Sequence, residues 1–189
     1  MTPEHRRLRL AGVCGIAAPI VALSFIFIAI SLSPWFTWTG NALSDLGVGE
    51  AALVFNSGLV LGGLLATVAA VVMFSTYQDK IRRVGALVFL LGTISLIGIG
   101  IFSEAAGRIH FYFSVAFFLL VPISFWILGV GIYRSGSKFW GVLTVLLGVV
   151  GTLPWTQHWT AVAIPELSSA LCFAVWSLVQ GARFYLGRP

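Results

Sequence analysis

The chain has 189 residues, of which 59% are hydrophobic and only 9% charged, with a formal net charge of +5. A soluble domain carries roughly 25% charged residues, so this composition, at a mean hydropathy of +1.01, excludes a water-soluble fold and points to a lipid environment. The positive charge does not point to nucleic acid, whose recognition needs a basic face on a water-exposed fold.

The charged residues are bunched and leave uncharged runs at 10–44, 51–78, 84–103, 109–133, 139–165 and 167–182. A bilayer core about 30 Å thick needs about 20 apolar residues at a rise of about 1.5 Å each. The runs therefore predict an all-α polytopic bundle, a single transmembrane domain over 1–189, with six spans at 8–32, 51–76, 84–103, 109–133, 139–153 and 164–180. The fifth span is the shortest and has room to begin earlier, near Ser135. A membrane β-barrel would alternate apolar and polar residues over segments of about 10, and no such alternation is visible.

In chain order, the basic start His5-Arg6-Arg7-Leu8-Arg9 precedes an apolar run longer than the about 7 to 15 residues of a signal-peptide core, so the first span reads as uncleaved. Cys14 in the first span and Cys172 in the sixth lie at different predicted depths, which favours packing over a disulfide that would need Cα atoms within about 7 Å. Pro19 and, in the fourth span, Pro122 each remove a backbone hydrogen bond and bend their helix. In the first connection, Asn41 is an N-cap candidate for a short turn that ends at Gly47 and holds Asp45 near the membrane surface. Asn56, two turns into the second span, is expected to point into the bundle to be satisfied.

The connection from Ser103 to His110 is short enough to force an antiparallel hairpin. Glu104 and Arg108, spaced i,i+4, suit a surface ion pair worth under about 1 kcal/mol. Alternatively, the forked donors of Arg108 hold an anionic headgroup or a carboxylate. His110 and Ser114 share a helix face. The last connection carries His158 and leads to Pro165, expected at the first position of the sixth helix, and Glu166 in its first turn, where a carboxylate meets the helix dipole. Trp35, Trp38, Trp155 and Trp159 sit in connections on this same side, as interfacial anchors or as stacking surfaces for a substrate.

Glycines at 58, 62, 63, 85, 92, 141 and 148 are expected to let helices approach closely. A shift of 56 residues superposes G-x-L-x-x-L-L-G at 85–92 on the same pattern at 141–148 and pairs Phe55 with Phe111. This suggests a duplication of 51–103 as 107–153.

Ten of the eleven basic residues fall on one side of such a bundle, with Arg108 the exception. The positive-inside rule makes that side cytoplasmic, with both termini on it. Asp45, Glu50, Glu104 and Glu166 take the outer side, and orientation rules give no reason for acids to gather there. The expected setting is the plasma membrane of a prokaryote.

The run Asn41-x-x-Ser44-Asp45-Leu46-Gly47, then Phe55-Asn56, Glu104 after the third span and His110 at the start of the fourth, resembles the archaeal and bacterial six-span proteins of domain of unknown function 998. The resemblance covers nearly the whole chain. It departs from that pattern at Ser103, where a proline commonly follows the residue equivalent to Phe102. No activity is established for that family, so the resemblance implies fold and topology alone.

Three functional classes stay open. The least demanding is a noncatalytic protein that binds membrane lipids or a protein partner through Asn41, Ser44, Asp45, Asn56 and Arg108, with oligomer formation possible. The second is a metal-dependent interfacial lipid hydrolase, in which Asp45, His110 and His158 hold Zn²⁺ and Glu104 or Glu166 is the general base. None of the close-spaced zinc signatures is present. The third is a small-solute or proton carrier, for which Asn56 and the two proline bends are the only support in a chain poor in mid-membrane charge.

Overall fold

Thr2 opens the first helix: its hydroxyl accepts the His5 N–H at 3.3 Å, and Pro3 follows where a helix needs no donor. From this start the computed structural model, which describes residues 2–188, has six α-helices and no strand among those residues. They are α1 (Pro3–Ser31), α2 (Ala52–Thr76), α3 (Lys80–Ile101), α4 (Arg108–Arg134), α5 (Lys138–Thr152) and α6 (Ala163–Tyr185). Each is long and apolar enough to cross a membrane, α5 when continued through the 3-10 turn Leu153–Thr156.

The helices overrun the uncharged runs where basic residues begin or end them. α1 starts at Pro3 rather than near Leu8, and α6 continues to Tyr185, because Arg and Lys stems remain helical while their charged heads reach out of the hydrocarbon. Asp79 caps α3, accepting the Arg82 N–H at 2.8 Å and pairing with the Arg82 guanidinium as well. α5 begins at Lys138 and does not extend back toward Ser135. Gly136, at φ 98°, reverses the chain there in a region that disfavours side-chain-bearing residues.

Sequential helices are neighbours, and α6 packs back on α1 to close a ring. The closing seam is built on glycine: a methyl at Gly12 would lie 2.7 Å from the Gly181 carbonyl, and Ser177 Oγ donates to Gly15 O across it at 2.7 Å. α4 is flanked by α3 and α5. Methyls at Gly85 and Gly92 would meet Leu128 and Val121 of α4 at 2.8 and 2.9 Å, and one at Gly141 would meet the Gly129 carbonyl of α4 at 2.7 Å. The repeated G-x-L-x-x-L-L-G thus supplies both neighbours of α4 with close-approach positions, the way small residues drive association in lipid.

Aromatic rings fill the middle of the ring. Trp176 of α6 lies 4.9 Å from Phe89 of α3 and 4.6 Å from Phe125 of α4, centroid to centroid. Its indole N–H donates to Thr144 Oγ1 of α5 at 3.2 Å, so the one polar atom of the ring is satisfied. Cys14 and Cys172 are both free thiols. The outer helix faces carry exposed Leu53, Leu119, Phe139 and Leu146. Such an apolar exterior would aggregate in water and is what a lipid-facing surface needs.

Candidate functional site at the acidic end

The Asn-x-x-Ser-Asp-Leu-Gly stretch forms a 3-10 turn, Leu43–Gly47, between α1 and α2. Asn41 does not act as the N-cap, which is Ala42. Instead the Asn41 side chain accepts the Thr37 N–H at 3.0 Å and donates to Asp45 Oδ2 at 2.9 Å, while its carbonyl accepts the Ala163 N–H of α6 at 3.0 Å. Asp45 Oδ2 also accepts the Ala42 N–H at 3.0 Å, taking up a donor at the start of the turn. Leu46 is fully buried. A methyl at Gly47 would fall 2.8 Å from Asn56 Oδ1, and Asn56 Nδ2 donates to Gly47 O at 3.0 Å. Asn56 therefore braces the turn from α2, and its Oδ1 is buried without a hydrogen bond among the described residues.

Glu166 ties the turn to α6. Its Oε2 accepts the Leu43 N–H at 2.6 Å, and the residue is buried. Glu166 stands in the first turn of α6, as expected, and its bond to Leu43 is a second role that the sequence did not suggest. Pro165 is the third residue of α6 rather than the first.

Glu104 approaches from the α3–α4 connection. Burial and then the facing Asp45 carboxyl push its acid above the usual glutamate range, while a hydrogen bond with Ser44 pulls the other way. His110, buried at the start of α4, has Nδ1 2.8 Å from the Phe102 carbonyl.

These residues border two connected spaces. A cavity of about 70 Å³ lies inside the ring among Pro19, Ile26, Phe55, Leu59, Phe117 and Phe173. A groove of about 720 Å³ runs along the Phe111, Val115 and Leu119 side of α4 to Trp155, Val162 and Glu166. Ser44, Ser114, Phe118 and Glu166 line both. The groove thus has an apolar run along α4 and a polar end at Ser44, Glu104, His110 and Glu166.

Of the residues singled out from sequence, Asn41, Ser44, Asp45, Glu104, His110 and Glu166 gather at this end, and Asn56 stands beneath the turn. Arg108 and His158 do not join them; both are exposed. The expected Glu104–Arg108 ion pair is not formed, the Arg82–Asp79 pair being the one found among the described residues. Glu104 turns to Ser44 and Asp45 instead. The zinc set Asp45, His110 and His158 does not assemble either, since among the described residues no group of three His, Cys, Asp or Glu side chains is placed to hold a metal ion. His110 and Asp45 are engaged by backbone and Asn41 groups, and His158 sits in the exposed last connection.

Sequence reasoning noted Ser114 only as sharing a face with His110, and it missed Phe118. The signal was the i, i+4, i+8 spacing of His110, Ser114 and Phe118, which puts all three on one stripe of α4. The two backbone donors, Leu43 N–H and Ala163 N–H, carry no sequence signal.

The ring of six apolar helices, open at one end into an acid-lined groove, defines a multi-pass integral membrane protein. The model of the family described as "Protein of unknown function (DUF998)" matches residues 16–183, and the chain belongs to that family. No curated protein and no solved structure matches the chain.

Proposed function

We propose that this protein binds an amphiphilic membrane lipid, without transforming it, at the acidic end of the bundle. The observation that carries this reading is the groove of about 720 Å³ whose apolar wall ends at Glu104, His110 and Glu166. Its size falls within the about 300–1,000 Å³ of ordinary ligand sites, and it combines an apolar lining with a few convergent polar groups, as such sites do. A chain lying against Phe111, Val115 and Leu119 keeps its tail in the hydrocarbon while its head meets the carboxylates. The positive-inside rule supports an external acidic end and cytoplasmic termini.

The test is lipid retention by the purified protein, read by native mass spectrometry, against Val115→Trp, which fills the groove from a lipid-facing position. The wild type should hold lipid at near-stoichiometric occupancy and the variant should lose it. Equal retention by both, or none by either, sinks the reading.

A further inference from the structure

Resting on the lipid-binding reading, we propose that the groove selects a long-chain amine, a single alkyl chain headed by a primary ammonium. The polar end presents hydrogen-bond acceptors that the protein leaves unused. Glu166 is only 8% exposed. Its Oε2 takes the Leu43 N–H, while Oε1 has no hydrogen-bond partner among the described residues. His110 is only 7% exposed, and its Nδ1 faces the Phe102 carbonyl at 2.8 Å. A carbonyl can only accept, so Nδ1 carries the hydrogen of this contact and Nε2 is the ring nitrogen left toward the groove. Nε2 likewise has no protein partner among the described residues. Both residues line the groove, as does Ser114, whose hydroxyl makes no hydrogen bond among the described residues.

Unused acceptors call for a donor-rich head. An ammonium brings three N–H donors and a charge that the Glu166 and Glu104 carboxyls lining the groove complement. A trimethylammonium head supplies the charge but no donor. A carboxylate or phosphate head would face the Glu104 and Glu166 carboxyls with neither Lys nor Arg in the groove, since exposed Arg108 is not part of its lining. The apolar cavity that meets the groove at Ser114, Phe118 and Glu166 leaves room beside the head for further apolar contact.

The experiment compares dodecylamine, dodecyltrimethylammonium and dodecanoate on the full chain in neutral maltoside micelles. Occupancy is read by native mass spectrometry and stability by thermal shift. The wild type should bind dodecylamine at least about tenfold more tightly than either other probe, the worth of one charge-assisted hydrogen bond. Glu166→Gln keeps an acceptor for Leu43 N–H and should erase most of that preference. Ser114→Ala, which touches no bond of the Leu43–Gly47 turn, should reduce it by a few-fold. If all three probes bind alike and all are lost in Val115→Trp, the head assignment fails while lipid binding stands. Tighter binding of dodecanoate overturns the assignment. If no probe binds and no native lipid is retained, both readings fall.

Discussion

Asn41 joins three segments of the chain at once: Thr37 on its own connection, Asp45 in the 3-10 turn, and Ala163 at the head of α6. Its backbone bond survives substitution, but its side-chain bonds do not. Asn41→Ala should lower stability by about 1–3 kcal/mol, since it strands part-buried partners, whereas Thr39→Ala, an exposed neighbour, should stay within about 0.5 kcal/mol. Thermal unfolding in detergent, followed by tryptophan fluorescence, measures both. Gly47→Ala sets a methyl against Asn56 Oδ1, which pushes the amide off Gly47 O and should cost about 1 kcal/mol, the worth of that hydrogen bond. Glu104 supplies a pH dependence of known sign. Its acid is raised in the folded protein, by burial and then by Asp45, so folding opposes its ionisation. Stability is therefore full below the ordinary glutamate range and falls as pH rises through the raised value. Glu104→Gln should match the wild type at low pH and become relatively more stable as pH rises; parallel melting curves across that range would refute the assignment. At this scale the residue types were legible in the sequence, as acids gathered on a side where insertion does not call for them. Their partners were not. The i,i+4 spacing suggested an ion pair between Glu104 and Arg108, but Ser44 and Asp45, nearly sixty positions earlier in the chain, lie closer in the fold.

Helices were legible because a lipid solvent forces every backbone group to pair within its own segment, and uncharged runs mark where that holds. Their ends were less so. Charge counting stops a span at the first arginine, whereas α1 and α3 carry arginines inside their first turns. The glycine positions showed that helices touch but not which ones: Gly85 and Gly141, alike in local sequence, face the same helix from opposite sides. The α1–α6 seam gives the sharpest element-level expectation. Gly12→Val would push into Tyr185 and the Gly181 carbonyl, and should cost about 1–3 kcal/mol by overpacking, with a matching drop in melting temperature. The same change at Gly49, which has open space but a φ of 92° that strains any side chain, should lower the melting temperature too yet leave the α1–α6 contact intact. A cysteine-crosslinking yield between α1 and α6 separates the two cases.

For the whole molecule, composition decided the class and the spacing of charges decided the number of crossings. The ring itself was not legible, because contact between the first and last helices leaves no periodic trace. The charge asymmetry makes a topological prediction. A fluorescent-protein fusion at the C-terminus should glow, a secreted-phosphatase fusion there should be silent, and a cysteine at position 50 should react with a membrane-impermeant reagent from outside the cell. The opposite labelling pattern would invert the acidic end and place the groove's mouth in the cytoplasm.

The bond from Leu43 N–H to Glu166 spans 123 positions of sequence, and this separation bears on biosynthesis. Until α6 is in place, Leu43 N–H lacks its protein acceptor and must be met by interfacial water. Five helices can be inserted and paired with their neighbours while the polar end remains unfinished. The arrival of α6 then closes the ring and brings Glu166 to its partner in one event. A chain truncated before α6 would keep its hairpins yet carry an open seam on α1 and a dangling turn, features by which a membrane protease could distinguish it from the finished protein.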